Sequence, residues 1–289
     1  MTVDLTFRGR RHVRDRALVM AIVNRTPDSF FDRGATYADD AAREAVRAAI
    51  AAGADVIDVG GVKAGPGSDV DVTEEIRRTV PFVAAVREEF PDAILSIDTW
   101  RAEVGRLCAA AGADILNDTW AGADPGLAEV AAELGCGFVC SHTGGAVPRT
   151  RPHRVHYDDV VADVIDQTTT AAERLVSLGV PREGILIDPT HDFGKNTWHG
   201  LELLRRVDEL VATGWPVLMA LSNKDFIGET LDRPVDERRE GTMAATAIAA
   251  VSGAAMFRSH DVAGTLRVVE MAASIRGDRP PSRAVRGLV

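Results

Sequence analysis

The chain has few of the features that would place it in a membrane, in an oxidising compartment or on nucleic acid. None of its apolar runs approaches the roughly 18 residues that cross a bilayer. Its three cysteines form no CxxC pair and no Cys/His metal spacing, so we expect buried, reduced thiols in a cytoplasmic protein. Acidic residues outnumber basic ones by 43 to 33, and the resulting charge of −10 argues against nucleic acid or anionic lipid as a partner.

Aromatic residues are also scarce, at 5% of 289 residues. A core built mostly of Ala, Val, Leu and Ile favours many helices packed on buried strands over an aromatic-rich β-sandwich. The first 16 residues are rich in arginine, and we interpret them as a surface arm that leads into the first strand. We expect residues 17–280 to form a single domain and residues 281–289 to form a tail.

Eight short apolar segments alternate with longer segments of helical periodicity. They lack strict apolar/polar alternation, which is typical of strands buried on both faces of a parallel sheet. The segments are 17–23, 55–60, 93–98, 113–118, 137–142, 184–189, 216–221 and 254–259. Eight such units predict an α/β fold, a single-domain (β/α)₈ TIM barrel, with an open doubly wound sheet as the alternative.

Polar residues end all eight predicted strands. A barrel brings the carboxyl ends of its strands together around one mouth, where barrel enzymes build their sites. These residues are Asn24, Asp58, Asp98, Asn117 with Asp118, His142, Asp188, Asn223 with Lys224, and Arg258 with His260. Their convergence predicts a polar pocket for a small molecule at that mouth.

Six short motifs follow the strands in order and carry a resemblance to a known family. They are Asn24-Arg25-Thr26-Pro27-Asp28-Ser29-Phe30, Ser96-Ile97-Asp98-Thr99, Asn117-Asp118, Asp188-Pro189 with Phe193-Gly194-Lys195, Ser222-Asn223-Lys224 with Phe226-Ile227-Gly228, and Arg258-Ser259-His260-Asp261. Any one of them is a weak signal. The ordered set resembles the signature of dihydropteroate synthase over about residues 17 to 275. The overall pattern also resembles the divergent second paralogue of that family found in some actinobacteria.

The resemblance implies a reaction and a distribution of roles. The family joins 6-hydroxymethyl-7,8-dihydropterin pyrophosphate to 4-aminobenzoate in folate biosynthesis, and Mg²⁺ assists departure of pyrophosphate. By resemblance, the pterin would contact Asp98, Asn117, Asp188, Lys224 and Arg258. The pyrophosphate would contact Asn24, Arg258 and His260, with Asn24 also the Mg²⁺ ligand. Lys224, Arg258 and His260 would be the catalytic residues, and Lys63, Pro66 and Ser222 would flank the aminobenzoate or a sulfonamide-like ligand.

Several loops depart from the family pattern at the anion-binding end. The loop after the second strand reads GGVKAGPG (60–67) in place of GGESTRPG, and the one after the seventh reads SNKD (222–225) in place of SRKS. Two glycines after the sixth strand have become Thr190 and Asp192. Each lost charge-assisted contact costs about 1.5–3 kcal/mol. We therefore expect a retained pterin pocket with a weakened or lost synthase reaction, and Lys63 or Arg25 as the candidate substitutes for a missing arginine.

Other interpretations remain open. Asp98 and Asp188 are alternatively helix caps, Arg258 an ordinary ion-pair partner, and Lys195 a structural residue rather than a chemical one. An active synthase, a non-catalytic pterin- or sulfonamide-binding protein and a pterin-dependent methyl-transfer module are the competing functions. By resemblance we also expect a homodimer, through residues 244–255 and 264–275.

Overall fold

The computed structural model describes residues 2–26, 38–63, 65, 67, 69–150 and 156–286, within which the chain forms ten strands. They are β1 (Val3–Phe7), β2 (Arg10–Arg14), β3 (Leu18–Asn24), β4 (Val56–Gly60), β5 (Ile94–Asp98), β6 (Ile115–Asp118), β7 (Gly137–Ser141), β8 (Ile185–Asp188), β9 (Leu218–Met219) and β10 (Met256–Ser259). Strands β3 to β10 form one parallel sheet in the order β8-β7-β6-β5-β4-β3-β10-β9. A parallel bridge between Ile187 and Val217 joins its two edges, so the sheet closes into a barrel.

This topology confirms the predicted TIM barrel and excludes the open doubly wound sheet. The eight predicted apolar segments coincide with β3 to β10 to within a few residues, although β9 is much shorter than its segment. Every residue of β4 and of β7 is buried, as expected for strands covered on both faces.

Helices follow the strands and surround the barrel. They are α1 (Asp39–Ala51), α2 (Val72–Glu89), α3 (Ala102–Ala111), α4 (Gly126–Leu134), α5 (Val160–Leu178), α6 (Thr197–Arg205), α7 (Val207–Ala212), α8 (Asp225–Leu231), α9 (Arg239–Ser252) and α10 (Val262–Arg276), with 3₁₀ turns at Arg182–Gly184 and Val235–Glu237. Asp71 caps α2 by accepting a hydrogen bond from the Glu74 backbone N–H. Gly253 ends α9 with φ of 107°, a conformation that only glycine adopts without strain. In the part of the chain that is described, no helix has the length and apolar character needed to cross a membrane.

The N-terminal segment corrects the prediction of a surface arm, because it is a β-hairpin with one buried face. Val3, Leu5 and Phe7 are buried, whereas Asp4 is exposed and Thr6 is partly exposed, so burial alternates along the strand. Arg8 and Gly9 both have positive φ, the twist that suits a two-residue hairpin turn. The alternation of apolar and polar residues in VDLTF is typical of a half-buried strand. The high arginine content of this segment favoured a surface arm instead, and the alternation was overlooked.

The hairpin closes the amino end of the barrel. Its apolar face packs on the first residues of the barrel strands, among them Leu18, Val56 and Met256. A second and larger cluster of apolar side chains fills the space between the strands and the helices. All three cysteines are buried and free, as expected. With the amino end filled, the carboxyl ends of the strands form the open end of the barrel.

Candidate functional site

A cavity of about 320 Å³ lies at the open end of the barrel. Polar side chains from the strand ends and the following loops form most of its wall. The lining residues are Ile22, Asn24, Thr26, Val62, Lys63, Gly65, Asp98, Asn117, Thr119, Thr150, Asp188, Thr190, Asp192, Phe193, Ala220, Asn223, Lys224, Asp225, Arg258 and His260.

The cavity brings together most of the residues that the sequence singled out. All of the predicted pterin contacts line it, as do the predicted anion-binding residues and Lys63. Ser222 is an exception, because its hydroxyl accepts a hydrogen bond from the His260 backbone N–H and it is not among the lining residues. Pro66 lies outside the described residues. The assigned roles of all these residues stay predictions.

Arg258 is held between two carboxylates on the floor of the cavity. Its Nε donates to Asp58 Oδ2 at 2.6 Å and its Nη2 to Asp98 Oδ2 at 2.8 Å. Asp58 is fully buried, and Ser96 Oγ donates to it at 2.6 Å. Arg258 is thus an ion-pair partner of two acids at once, and a ligand that bonds to Asp98 shares that carboxylate with it.

Burial also alters the acid–base behaviour of Asp98. Removal from water raises the pKa of this carboxyl to about 7, although the adjacent Arg258 lowers it. The Thr119 hydroxyl donates to Asp98 Oδ1 at 2.9 Å and fixes its orientation. Near neutral pH this carboxyl therefore exchanges a proton easily, and it is able to accept or donate a hydrogen bond.

Among the described residues that line the cavity, Asn117 and Thr26 each have a buried polar atom without a hydrogen-bond partner. The amide nitrogen of Asn117 contacts the two oxygens of Asp58 at 3.4 and 3.3 Å, which leaves the amide oxygen facing away from that carboxylate. The amide oxygen is buried and has no hydrogen-bond partner within the part of the chain that the structure describes. An orphaned buried acceptor costs about 1–3 kcal/mol, so the cavity favours a ligand that brings an N–H or O–H donor.

Asp188 presents a second buried carboxylate. Its Oδ1 accepts the backbone N–H of Thr190 at 2.7 Å. Burial raises the pKa of Asp188, and the positive charge of Lys224 opposes that rise. Neither this residue nor Asp98 caps a helix, since α3 and α6 begin after Arg101 and Asn196.

Thr190 occupies a backbone conformation that normally belongs to glycine. Its φ is +51°, in the left-handed region, where a β-branched residue is strained. Its hydroxyl compensates by accepting the His142 backbone N–H at 3.2 Å and donating to the Asp188 carbonyl at 3.0 Å. The expected loss of glycine at this position therefore leaves the backbone path around Asp188 intact.

Lys224 lies among acids at the rim of the cavity. Its ammonium is 4.0 Å from Asp192 Oδ2 and 5.8 Å from the centre of the Phe193 ring. Asp225 follows directly as the first residue of α8, and it pairs with Arg238 at 2.9 Å. Burial raises the pKa of Asp192, and Lys224 lowers it. The positive charge of Lys224 is thus shared with a carboxylate that stands where the family has glycine.

Of the two candidate substitutes for a missing arginine, only Lys63 lines the cavity. Arg25 is buried, bonds to Asp39 through Nη2, and lies 4.7 Å from the centre of the Phe82 ring. Its guanidinium therefore faces α1 and α2. The sequence does not indicate in which direction the Arg25 side chain points.

A chain of three polar side chains lies behind the cavity. Lys195 Nζ contacts His142 Nδ1 at 2.8 Å and donates to the carbonyls of His142, Thr190 and Phe193. His142 Nε2 in turn contacts Asp163 Oδ2 at 2.7 Å. Because Nδ1 faces an ammonium donor, the proton of the imidazole belongs on Nε2, and burial lowers the His142 pKa to about 4. These contacts support the structural role expected for Lys195.

The residues present offer little to hold a metal on their own. In the ranges that the structure describes, no cluster of three or more His, Cys, Asp or Glu side chains is arranged to hold an ion. Asn24 lines the cavity close to Asp98, and a side chain on Gly60 would meet both, at 3.5 and 3.8 Å. Mg²⁺ commonly keeps several waters and binds one or two protein oxygens plus substrate phosphates. The Asn24 oxygen fits only an ion that arrives with a phosphate ligand.

The fold and the cavity define a TIM-barrel protein with a cavity lined by polar side chains at its carboxyl-terminal mouth. Comparison with known proteins narrows that class. Residues 20–260 match the model of the family described as pterin binding enzyme, and the chain belongs to that family.

Individual proteins with similar sequences or structures support this family assignment. The chain is 66% identical over 284 residues to a Mycobacterium leprae protein named inactive dihydropteroate synthase 2, covering 97% of this chain and 98% of that one. It is 39% identical over 248 residues to the dihydropteroate synthase of Haemophilus influenzae, covering 86% and 90%. The structure of Yersinia pestis dihydropteroate synthase in a sulfonamide drug complex superimposes with a TM-score of 0.89 at 35% identity, covering 96% and 100%. The chain is therefore a divergent homologue of dihydropteroate synthase.

Proposed function

We propose that this protein binds a pterin in the mouth cavity without carrying out the synthase reaction at a useful rate. The orphaned amide oxygen of Asn117 is the observation that carries the first half. A pterin ring presents N–H and amino donors along one edge. Asn117 lines the cavity, and a buried acceptor without a hydrogen-bond partner among the described residues matches such an edge.

The two carboxylates extend that acceptor surface. Asp98 and Asp188 would accept the remaining pterin donors, and Lys224 would donate to ring acceptors. Each charge-assisted hydrogen bond contributes about 1.5–3 kcal/mol. The site would also reject analogues that lack the matching donors, because its buried polar groups would be left unpaired. Arg258 would lie beside the ring while still bonded to Asp58.

The second half of the proposal concerns the anionic end. Of the predicted catalytic residues, Arg258 already neutralises two acids and Lys224 faces Asp192. Among the described residues, Lys63, His260 and Asn24 also line the cavity, and a lysine does not reproduce the planar fork of arginine. Loss of one charge-assisted clamp lowers the affinity or the rate by roughly 10- to 150-fold. Two losses and one added acid would suppress turnover by several orders of magnitude.

Mg²⁺ enters this proposal only together with a pyrophosphate. Asn24 would then supply the protein oxygen, and the ion would neutralise the leaving group. Asn24 alone makes a poor resident site, so pterin binding should not require the metal.

We also propose a cytoplasmic homodimer with small-molecule partners and no nucleic acid or membrane partner. Ile248 and Val251 on α9 and Met271 and Ile275 on α10 are between 44% and 64% exposed. The two helices pack against each other, and each carries two of these exposed apolar side chains. A second copy of the chain is the partner that the family resemblance suggests.

Calorimetry with 6-hydroxymethyl-7,8-dihydropterin tests the binding half. The wild type should bind, and Asp188→Asn should bind roughly 10- to 150-fold more weakly, because one charge-assisted bond becomes neutral. Asp208→Asn on α7 is the matched control and should bind as the wild type does. Absence of binding to the wild type would refute the pterin site.

A turnover assay tests the other half. The pyrophosphate ester, Mg²⁺ and 4-aminobenzoate are incubated at high protein concentration, and released pyrophosphate is measured. Binding without release supports the proposal. Release at the rate of an ordinary synthase would show an active enzyme whose altered loops are compensated.

A further inference from the structure

The charges around the cavity do not suit an anionic ligand. Among the described residues that line it, the carboxylates are Asp98, Asp188, Asp192 and Asp225, and the permanent cations are Lys63, Lys224 and Arg258. Asp58 adds a fifth carboxylate directly behind Arg258. Arg238, which pairs with Asp225, adds a fourth cation. Among the described groups five carboxylates therefore face four permanent cations, so the cavity has no excess of positive charge.

The distribution of the charges matters more than their number. On the floor, Arg258 is shared by two carboxylates, which satisfies both its Nε and its Nη2. Higher in the cavity, Asp192 Oδ2 is 4.0 Å from the Lys224 ammonium, and its side chain is one-third exposed. That distance exceeds hydrogen-bond length, so Asp192 keeps acceptor capacity toward the cavity.

Asp225 adds to the same field from the rim. Its side chain is 82% exposed and paired with Arg238, so solvent screens much of its charge. It stands one residue after Lys224 and shares the rim with Asp192. Among the described residues, both acids therefore lie close to Lys224, one in space and one in sequence. The side chains of Asp192 and Asp225 are 33% and 82% exposed against 12% for Lys224, so a carboxylate or phosphate that approaches from solvent would meet negative charge first.

We propose that the rim selects a ligand whose pterin-like ring carries a protonated amine rather than a carboxylate or a phosphate. This inference rests on the proposed pterin site for the ring. The substituent would extend past the floor carboxylates, where Asp192 would accept its N–H donors and Asp225 would add long-range attraction. The substrate class is therefore an aminoalkyl heterocycle, and Asp192 is the residue that determines this specificity.

The test uses three probes that share one ring and differ in the charge at the 6-position. They are 6-aminomethylpterin, 6-hydroxymethylpterin and pterin-6-carboxylate, titrated at pH 7 with binding followed by quenching of pterin fluorescence. The wild type should bind the amine about 30-fold more tightly than the carboxylate, with the neutral probe between them. Asp192→Asn should reduce that ratio to about threefold and leave the affinity for the neutral probe within about twofold.

Two further variants separate the rim from general electrostatics. Asp225→Asn should reduce the ratio by a smaller factor than Asp192→Asn, because its charge is screened. Asp232→Asn, an exposed position just after α8, changes the same charge and should leave the ratio unchanged.

The outcomes are distinguishable. Equal affinity for the three probes, or preference for the carboxylate, would overturn the rim inference and leave the pterin site standing. Failure of all three probes to bind would overturn both. An unchanged ratio in Asp192→Asn would show that the selectivity comes from elsewhere and would also overturn the inference.

Discussion

Replacing Arg258 by methionine tests the double ion pair at the floor of the cavity without any ligand. The substitution keeps an unbranched side chain of similar reach and removes the guanidinium that neutralises Asp58 and Asp98. The Arg258 side chain is 17% exposed, and those of Asp58 and Asp98 are 0% and 12% exposed. Removal of one partner of a buried pair typically costs about 3–5 kcal/mol, because the other charge is left without compensation.

Protonation sets a ceiling on that cost. A carboxylate that cannot stay charged takes up a proton, at about 1.4 kcal/mol for each pH unit above the ordinary aspartate pKa of roughly 3.9. The ceiling for one carboxylate is then about 4 kcal/mol at pH 7 and about 1.5 kcal/mol at pH 5. Asp98 already has a pKa of about 7, so most of the loss comes from Asp58.

We therefore expect Arg258→Met to lower the free energy of unfolding by about 3–5 kcal/mol at pH 7 and by roughly 2 kcal/mol less at pH 5. Urea unfolding followed by circular dichroism measures both values. Arg239→Met is the control, since Arg239 also pairs with an aspartate at 2.8 Å but is 54% exposed, and it should cost less than about 1 kcal/mol. A loss below about 1 kcal/mol for Arg258→Met, or equal losses at both pH values, would refute the reasoning.

Three shorter predictions follow from other parts of the fold. Phe7→Ala should lower the free energy of unfolding by about 3–5 kcal/mol, because this fully buried ring seals the barrel, whereas Val13→Ala at an exposed position should change it by less than about 0.5 kcal/mol. The raised pKa of Asp98 means that the native state holds its proton more tightly than the unfolded chain, so the wild type should lose stability relative to Asp98→Asn as the pH rises from about 4 to 7, and urea unfolding across that range would expose the opposite slope. Met271→Asp should reduce the molar mass measured by light scattering from that of a dimer to that of a monomer, and Leu178→Asp on α5 should leave it unchanged. A monomeric molar mass for the wild type would refute the dimer.

The barrel was predictable because its signal is repeated along the chain. Eight buried strands alternate with helices, and each strand–helix unit indicates the same fold. The predicted length of β9 was too long, but this did not change the predicted architecture. For the hairpin, the sequence contained a single short alternating segment, Val3–Phe7, that indicated a strand. Its arginines lie outside β1, in the turn and in β2, where Arg10, Arg11 and Arg14 pair with acids, and the buried face belongs to β1.

The cavity residues were predictable as a set and not as an arrangement. Polar strand ends must converge in a barrel, which is why Asp98, Asn117 and Asp188 could be placed at one mouth. Asp58 was visible as another strand end, yet no pattern showed that it would hold Arg258. The direction of Arg25 and the distance from Lys224 to Asp192 depend on rotamers and on tertiary packing, which a single sequence does not encode locally.

The hairpin plug has a kinetic consequence. Because Phe7 and Leu5 fill the amino end of the barrel, the cavity opens at the carboxyl end. Solvent and ligand must therefore exchange through the same opening. Waters that hydrate the floor carboxylates have to leave past an entering molecule. The time that a ligand stays bound should therefore depend on the loops around the opening. Substitutions at the floor of the cavity should change the affinity through the dissociation rate more than through the association rate.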